Sequence, residues 1–250
     1  MRRIRIEVAY DGTEFHGWQV QPGLNTIQGE LEKAVSEIEG RAVNVAGSGR
    51  TDAGVHALAQ VAAFSIENPI PLANLRRALN RLLPRAIRVM RVEETGAAFH
   101  PRYSARAKTY EYRVWRTEIC PPMRRLYVCY FPYPLDEKRM AESAAVFQGE
   151  HDFSAFAAAD EKDEAGGSKV RTVFDSTLWR EGDELIYRVR GSGFLKHMVR
   201  MMMGTLIEAG KGNLGREELL RRLEPGFQGK AGPAMPASGL CLISVEYERE

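Results

Sequence analysis

Apolar residues fall at every second position from Ile4 to Tyr10, a period that predicts a half-buried strand. The next apolar positions have helical spacing, with Thr26 as the N-cap of the helix and Gly40 as its C-terminal stop. Two short strands, a leucine-rich helix and another strand are then predicted at residues 43–45, 59–64, 72–83 and 87–92. The first half of the chain therefore has the order β-α-β-β-α-β.

The second half is predicted to repeat this order of elements without repeating the sequence. Its strands are predicted at residues 110–114, 170–178, 185–189 and 240–247, and its helices at 136–147, 198–207 and 216–223. An acidic stretch over 160–167 predicts a mobile loop. We therefore expect an α+β fold of two pseudo-symmetric split-βαβ halves, ferredoxin-like or RRM-like, joined in a mainly antiparallel sheet with a central cleft. The two halves are expected to be residues 1–103 and 104–250.

The composition is that of an ordinary folded protein, with 44% hydrophobic and 27% charged residues among 250. The three cysteines, Cys120, Cys129 and Cys241, lack Cys-x-x-Cys or Cys/His spacing, which argues against a zinc site or a disulfide framework. The N-terminus has no apolar signal segment, and nowhere do 18 apolar residues follow one another. We therefore expect a cytoplasmic protein that binds no metal and does not enter a membrane.

Basic residues are concentrated between Arg76 and Arg116, although the formal net charge of the chain is only +2. This segment holds eleven arginines and lysines against three glutamates, and arginine outnumbers lysine by 27 to 8 in the whole chain. Between Phe99 and Tyr112 the cations alternate with aromatic residues, a mixture that pairs with phosphates and stacks on bases. The pattern indicates a nucleic-acid-binding surface. Solvated helix faces and cross-strand packing of the tyrosines are the simpler alternatives for part of it.

A glycine-rich segment, Ala46–Phe64, contains the strongest candidate for chemistry. Asp52 lies in its turn, with Arg50 two residues before it and His56 four residues after it. The glycines permit positive φ angles and the close approach of a substrate. A capping role for Asp52 within its own turn is the simpler alternative. Because the third glycine of a dinucleotide fingerprint and the Gly-Lys-Ser/Thr of a P-loop are both missing, we expect no nucleotide cofactor.

Two later segments carry further candidates. Arg200 lies one turn into an apolar helix that follows Gly193-Phe194, where it either reaches solvent or is buried against a carboxylate that it keeps ionised. The apolar segment Gly239–Ile243 forms either one wall of a substrate pocket, with Leu242 as a lining residue, or simply a buried strand.

The segment Gly49–Ala57, Gly-Arg-Thr-Asp-Ala-Gly-Val-His-Ala, resembles the signature of the tRNA pseudouridine synthase A family. Further segments resemble motifs of the same family in the same order: Tyr10–Gly12, Gly17–Gln19, Phe99–Tyr112, Phe194–Gly204 and Gly239–Leu242. The resemblance covers nearly the whole chain. It implies an isomerase that converts uridine to pseudouridine at positions 38, 39 and 40 of the tRNA anticodon stem-loop, acting as a homodimer without a cofactor.

The resemblance also implies the roles of individual residues. Asp52 is the expected nucleophile, Arg200 pairs with its carboxylate, and Tyr110 stacks on the target uracil and accepts the proton lost from carbon 5. The uridine leaves its helical stack, and Arg50 fills the vacated space. His56 either contacts the substrate or holds the loop through hydrogen bonds.

Two other classes of protein remain open from the residues themselves. A non-catalytic RNA-binding protein with two RRM-like halves accounts for the arginines, but it leaves the Asp52 turn unexplained and the chain lacks an RNP1-type aromatic strand. A hydrolase that uses Asp52 and His56 on a small molecule gives no reason for the arginines. Within the isomerase hypothesis, attack by Asp52 at carbon 1′ of the sugar and at carbon 6 of the base are both open.

Overall fold

The computed structural model describes residues 1–158 and 167–248, which fall into two compact units. The first unit is Met1–Arg106 together with the segment that begins at Cys241, and the second is Ala107–Leu240. Each unit combines helices with strands that pair mostly in antiparallel fashion. The predicted α+β class is confirmed, whereas the arrangement as two split-βαβ halves around a cleft stays a prediction. Most of the predicted acidic loop lies outside the described residues.

The helices and strands are as follows. The first unit contains β1 (Arg2–Tyr10), α1 (Ile27–Glu39), β2 (Ala46–Gly47), β3 (His56–Ile66), α2 (Leu72–Leu82) and β4 (Ile87–Thr95). The second contains most of β5 (Ala105–Trp115), then β6 (Cys129–Tyr130), α3 (Glu137–Ala144), β7 (Gly149–Asp152), β8 (Val170–Glu181), β9 (Glu184–Gly191), α4 (Met198–Gly210) and α5 (Arg216–Arg221). The last strand, β10 (Leu240–Tyr247), belongs to the first unit except for its first residue.

β1 is an inner strand of the first unit, where the strand order is β4-β1-β3-β10 and β2 pairs with β3. Its apolar face from Ile4 to Val8 is fully buried, as the alternation predicts. The predicted ends of α1 are also confirmed. The Thr26 hydroxyl accepts a hydrogen bond from the N–H of Gly29, and Gly40 takes the left-handed φ of 76° that ends many helices.

The prediction of a short strand at residues 43–45 is wrong, because pairing with β3 begins only at Ala46. Side chains of α1 take the backbone N–H groups that an earlier strand would need for pairing. The Ser36 hydroxyl accepts from the N–H of Val43 at 2.9 Å, and the Glu32 carboxylate accepts from that of Val45 at 3.0 Å. Such side-chain bonds compete directly with a strand ladder.

The second unit has the strand order β5-β9-β8-β7, with all neighbours antiparallel and β6 parallel to β5. The two residues of β6 and the four of β7 are too short for periodicity to predict them. The helix predicted over 136–147 consists of α3 followed by a 3₁₀ turn. Nearly every side chain of α4 is buried, so this helix forms the centre of the unit's core.

A close backbone approach fixes α4 against the irregular segment before β10. A Cβ atom at Gly204 would lie 1.9 Å from the carbonyl oxygen of Pro233. One at Gly232 would lie 2.8 Å from the backbone nitrogen of Thr205. Because both obstacles are backbone atoms, only glycine allows this packing distance.

We expect Gly204→Ala to lower the free energy of unfolding by about 1–3 kcal/mol, since the methyl group forces α4 away from its partner segment. The matched control is Gly96→Ala, where a Cβ atom meets no atom of the described residues within 4 Å. Thermal and urea unfolding followed by circular dichroism measure both variants. Equal stability of the two variants would show that the segment before β10 moves away from α4 without lowering the free energy of unfolding.

Candidate active site

Asp52 lies in the loop between β2 and β3, and the backbone on both sides of it is anchored. The carbonyl oxygen of Thr51 accepts a hydrogen bond from the N–H of Trp18 at 3.0 Å. The N–H of Gly54 donates to the carbonyl oxygen of Phe15 at 3.2 Å. Asp52 itself is only half-buried, and the neighbouring Arg50 is exposed. The fold therefore presents this carboxylate at the surface of the first unit from a turn that is tied at both ends.

A buried polar network supports the same loop from below. The Tyr10 and Thr51 hydroxyl groups are hydrogen-bonded at 2.9 Å. The amide of Gln60 donates to the carbonyl oxygen of Gly49 at 3.0 Å and accepts from the Ser48 hydroxyl at 2.6 Å. Burial raises the pKa of Tyr10 well above its ordinary value, so its phenol stays protonated and keeps its hydrogen bond.

The segment from Gly12 to Trp18 straps the loop, and two glycines make its close approach possible. A Cβ atom at Gly12 would lie 2.0 Å from the carbonyl oxygen of Val55. Gly17 has a φ of +88°, and its Cβ atom would lie 2.6 Å from the carbonyl oxygen of Thr51. Sequence reasoning includes these residues only through the family resemblance, and it misses Gln60 altogether.

His56 stands at the first position of β3 and is 6% exposed. Its Nδ1 atom accepts a hydrogen bond from the N–H of Gly12 at 3.1 Å, which requires the ring proton on Nε2. The same Nδ1 atom lies 3.2 Å from a carboxylate oxygen of Asp11, so His56 contacts two consecutive residues that follow β1. The histidine thus joins the strap to the strand that follows Asp52. Leu242, which is 1% exposed, pairs in register with Ala57 on that strand.

Tyr110 and Arg200 lie in the second unit. The Tyr110 ring is buried in β5 and meets the Phe194 ring edge-on, with ring centres 5.2 Å apart and planes at 82°. Two residues further along β5, the Tyr112 hydroxyl donates to the carbonyl oxygen of Pro236 at 2.7 Å. Burial raises the pKa of Tyr112 strongly, and the positive charge of Arg200 acts against this rise.

Arg200 is held by two hydrogen bonds with one residue of the segment before β10. Its Nε atom donates to the carbonyl oxygen of Met235 at 2.6 Å, and the N–H of Met235 donates to the carbonyl oxygen of Arg200 at 3.2 Å. His197, directly before α4, has a φ of 63°, and it is the one non-glycine residue with positive φ in the described part of the chain. A bulky residue in this conformation is strained, which is common at functional sites.

The structure therefore gathers the sequence candidates in two sets. The first unit holds Arg50, Asp52, His56 and Leu242 around one loop and the strand that follows it. The second unit holds Tyr110 and Arg200, which are linked to their surroundings through Phe194, Tyr112 and Met235. In residues 1–158 and 167–248, no group of three or more histidine, cysteine or acidic side chains is placed to hold a metal ion. None of the helices in these ranges is both long and apolar enough to cross a membrane.

Comparison with known proteins identifies the family. A family model described as tRNA pseudouridine synthase matches residues 6–104 and 144–248. A tRNA pseudouridine synthase A of Solibacter usitatus is 64% identical over 247 residues, which are 99% of this chain and 100% of that protein. One of Halalkalibacterium halodurans is 45% identical over 241 residues, covering 96% and 90% of the two chains. The chain belongs to the tRNA pseudouridine synthase family and is an enzyme of that class.

Among solved structures, a chain from the crystal structure of a Cbf5-Nop10-Gar1 complex aligns with 96% of this chain. The alignment spans 58% of the other chain, with 13% sequence identity and a TM-score of 0.34. A similarity at this level carries no argument about the site.

We expect Tyr10→Phe to lower the unfolding free energy by about 1 kcal/mol, because it leaves the buried Thr51 hydroxyl without this partner. We also expect slower turnover with little change in RNA affinity, since Tyr10 positions the loop and is itself buried. The control is Tyr133→Phe, which removes the hydroxyl of a tyrosine that is 65% exposed. Identical unfolding and turnover in the two variants would contradict a positioning role for Tyr10.

Proposed function

We propose that this enzyme converts uridine to pseudouridine in the anticodon stem-loop of tRNA, at positions 38, 39 and 40, with Asp52 as its nucleophile. The observation that carries the proposal is the anchored loop: a half-exposed carboxylate stands on a turn whose neighbouring residues are tied to Phe15 and Trp18. The family resemblance of the Gly49–Ala57 segment supports the choice of this carboxylate. A fixed nucleophile suits a reaction in which one fragment must be held while the other turns.

The reaction is a redistribution of bonds within one nucleotide. The bond between N1 of uracil and C1′ of ribose breaks, and a bond between C5 and C1′ forms. One proton leaves C5 and one is bound at N1, so the overall change needs no oxidant, reductant or second substrate. Asp52 forms a transient covalent bond to one fragment, at C1′ of the ribose or at C6 of the uracil. This bond holds that fragment during the rotation of the base and breaks again before pseudouridine is released.

The roles of the other candidates follow from the resemblance and from their local settings. Tyr110 stacks on the uracil and receives the C5 proton, and its ring is held in place by Phe194. Arg200 pairs with the Asp52 carboxylate, and the orientation of its guanidinium is fixed by Met235. Both assignments are parts of the proposal, as is a substrate contact by Leu242.

Access to the nucleophile requires that the uridine leaves its helical stack. Extrusion of a base costs a few kcal/mol, which contacts to the rest of the RNA must offset. Arg50 is exposed and stands two residues before Asp52, so its side chain is suited to enter the vacated stack and contact a phosphate. We assign it this role. We further propose that the enzyme acts in the cytoplasm as a homodimer, for which sedimentation of the purified protein is the direct measurement.

We expect Asp52→Asn to abolish conversion while tRNA binding is retained, because the amide has nearly the same shape but is not a nucleophile. The assay follows tritium released from C5-labelled uridine in an unmodified tRNA, and the rate should fall by about a thousandfold or more. The control is Asp183→Asn, which makes the same change at an exposed turn between β8 and β9.

Two results would change the interpretation. Retained turnover in the Asp52→Asn variant would show that another group is the nucleophile. Absence of release by the unaltered protein, with tRNA binding intact, would favour a non-catalytic RNA-binding protein instead.

A further inference from the structure

A groove between α2 and the edge strand β4 is not used by the mechanism above. It has a volume of about 500 Å³ and is lined by Arg76, Arg77, Asn80, Arg81, Val89 and Met90. The three arginines are exposed, and Met90 is 54% exposed. We refer to these six residues as the α2 groove. The groove combines three positive charges with two apolar residues, Val89 and Met90.

The positive charge of the α2 groove is not matched by nearby acidic residues. Between Glu67 and Glu93 the sequence contains six arginines and no aspartate or glutamate. Within the part of the chain that the structure describes, Arg76, Arg77, Arg81 and the adjacent Arg85 form no ion pair with a carboxylate. Repulsion among these guanidinium groups is a cost to folding that an anionic ligand would remove.

Other arginines of the basic segment are paired in the folded chain. The arginine–glutamate pairs are Arg91 with Glu93, Arg106 with Glu248, Arg113 with Glu111 and Glu184, and Arg116 with Glu137. The structure thus pairs four arginines of this segment with glutamates, and among the described residues it leaves Arg85 and the three arginines of the α2 groove without such a pair. Arg81 lies in the last turn of α2, where its positive charge is stabilised by the helix dipole. Arg76 and Arg77 lie too far from this end of the helix for the dipole to explain their presence.

The groove is rigid as well as charged. The Asn80 side chain bonds both backbone groups of Val89, donating to the carbonyl oxygen and accepting from the N–H at 2.8 Å each. Arg76 spans the groove and donates to the carbonyl oxygen of Met90 at 3.3 Å. These contacts hold α2 and β4 in register. Binding of a ligand therefore has to order the arginine side chains but not the backbone that carries them.

The arginines of the α2 groove and Arg85 lie along a path that is connected to the Asp52 loop by hydrogen bonds. The carbonyl oxygen of Ala86, next to Arg85, accepts a hydrogen bond from the N–H of Asp11 at 2.9 Å. Asp11 precedes Gly12, which bonds to His56 at the end of the loop. The arginines of α2 extend from this end of the helix, and Arg81 and Arg76 are about 7 Å apart along the helix axis. That length is enough for more than one phosphate group.

We propose that the α2 groove binds the phosphate backbone of the same tRNA at nucleotides outside the target uridine. Three exposed guanidinium groups that line one groove match the closely spaced charges of a nucleic acid strand. The inference rests on the proposed function, since it assigns the groove to the substrate of that site. It adds a second contact region that contributes affinity without taking part in the chemistry.

The test is a triple variant, Arg76→Gln, Arg77→Gln and Arg81→Gln, with tRNA affinity measured by filter binding. The probe is an unmodified tRNA transcript at several KCl concentrations. We expect the Kd to rise at least tenfold at moderate salt, and the slope of log affinity against log salt to become shallower by about two, because three phosphate contacts are lost. A second triple variant with lysine at the same positions should retain most of the salt slope, since it keeps the charges.

The control carries the same charge change at exposed arginines of the second unit, Arg125→Gln, Arg216→Gln and Arg221→Gln. Equal Kd values and slopes for the control and the α2 triple variant would overturn the inference. The proposed function fails separately, if the unaltered protein binds tRNA but releases no tritium from it. Loss of affinity for anionic phospholipid vesicles, with tRNA binding unchanged, would also overturn the inference and would favour a membrane surface as the partner.

Discussion

The carbonyl oxygen of Val55 occupies the space in which a side chain at residue 12 would begin, and the candidate active site depends on this contact. It brings the strap close enough for Gly12 to bond His56 and for Trp18 to bond Thr51. Asp52 is therefore placed by backbone atoms and by a buried hydroxyl and amide network, all of which are neutral.

The second unit uses the same device for Arg200. Gly204 lets the segment before β10 lie directly on α4, and this segment supplies the Met235 carbonyl that fixes the guanidinium. In both units a charged group is carried by an element whose position is set by a contact that only glycine permits. The strained backbone of His197 beside α4 agrees with this view, because strain persists only where the surroundings over-determine the geometry.

Sequence patterns predict the elements that bury one face, such as β1, and the helix whose caps, Thr26 and Gly40, are themselves sequence signals. They fail where a side chain from another element bonds a backbone group that a strand would need. The Glu32 carboxylate, for example, accepts the hydrogen bond of the Val45 N–H. Gln60 is missed because a polar residue in an apolar strand gives no hint of a buried partner. Charge counting is also incomplete without the fold, since it cannot tell which arginines will meet glutamates from other strands.

If the enzyme acts on neighbouring uridines as proposed, a turn that is tied on both sides has a consequence for how one site serves them. The hydrogen bonds that anchor the Asp52 loop restrict its movement toward uridines at different positions along an RNA stem. With Asp52 as the proposed nucleophile, the adjustment then comes from the RNA, which bends or slides until a given uridine meets the carboxylate. Selectivity would be decided by the deformability of the stem around each uridine, and weakly paired stems would be modified more readily.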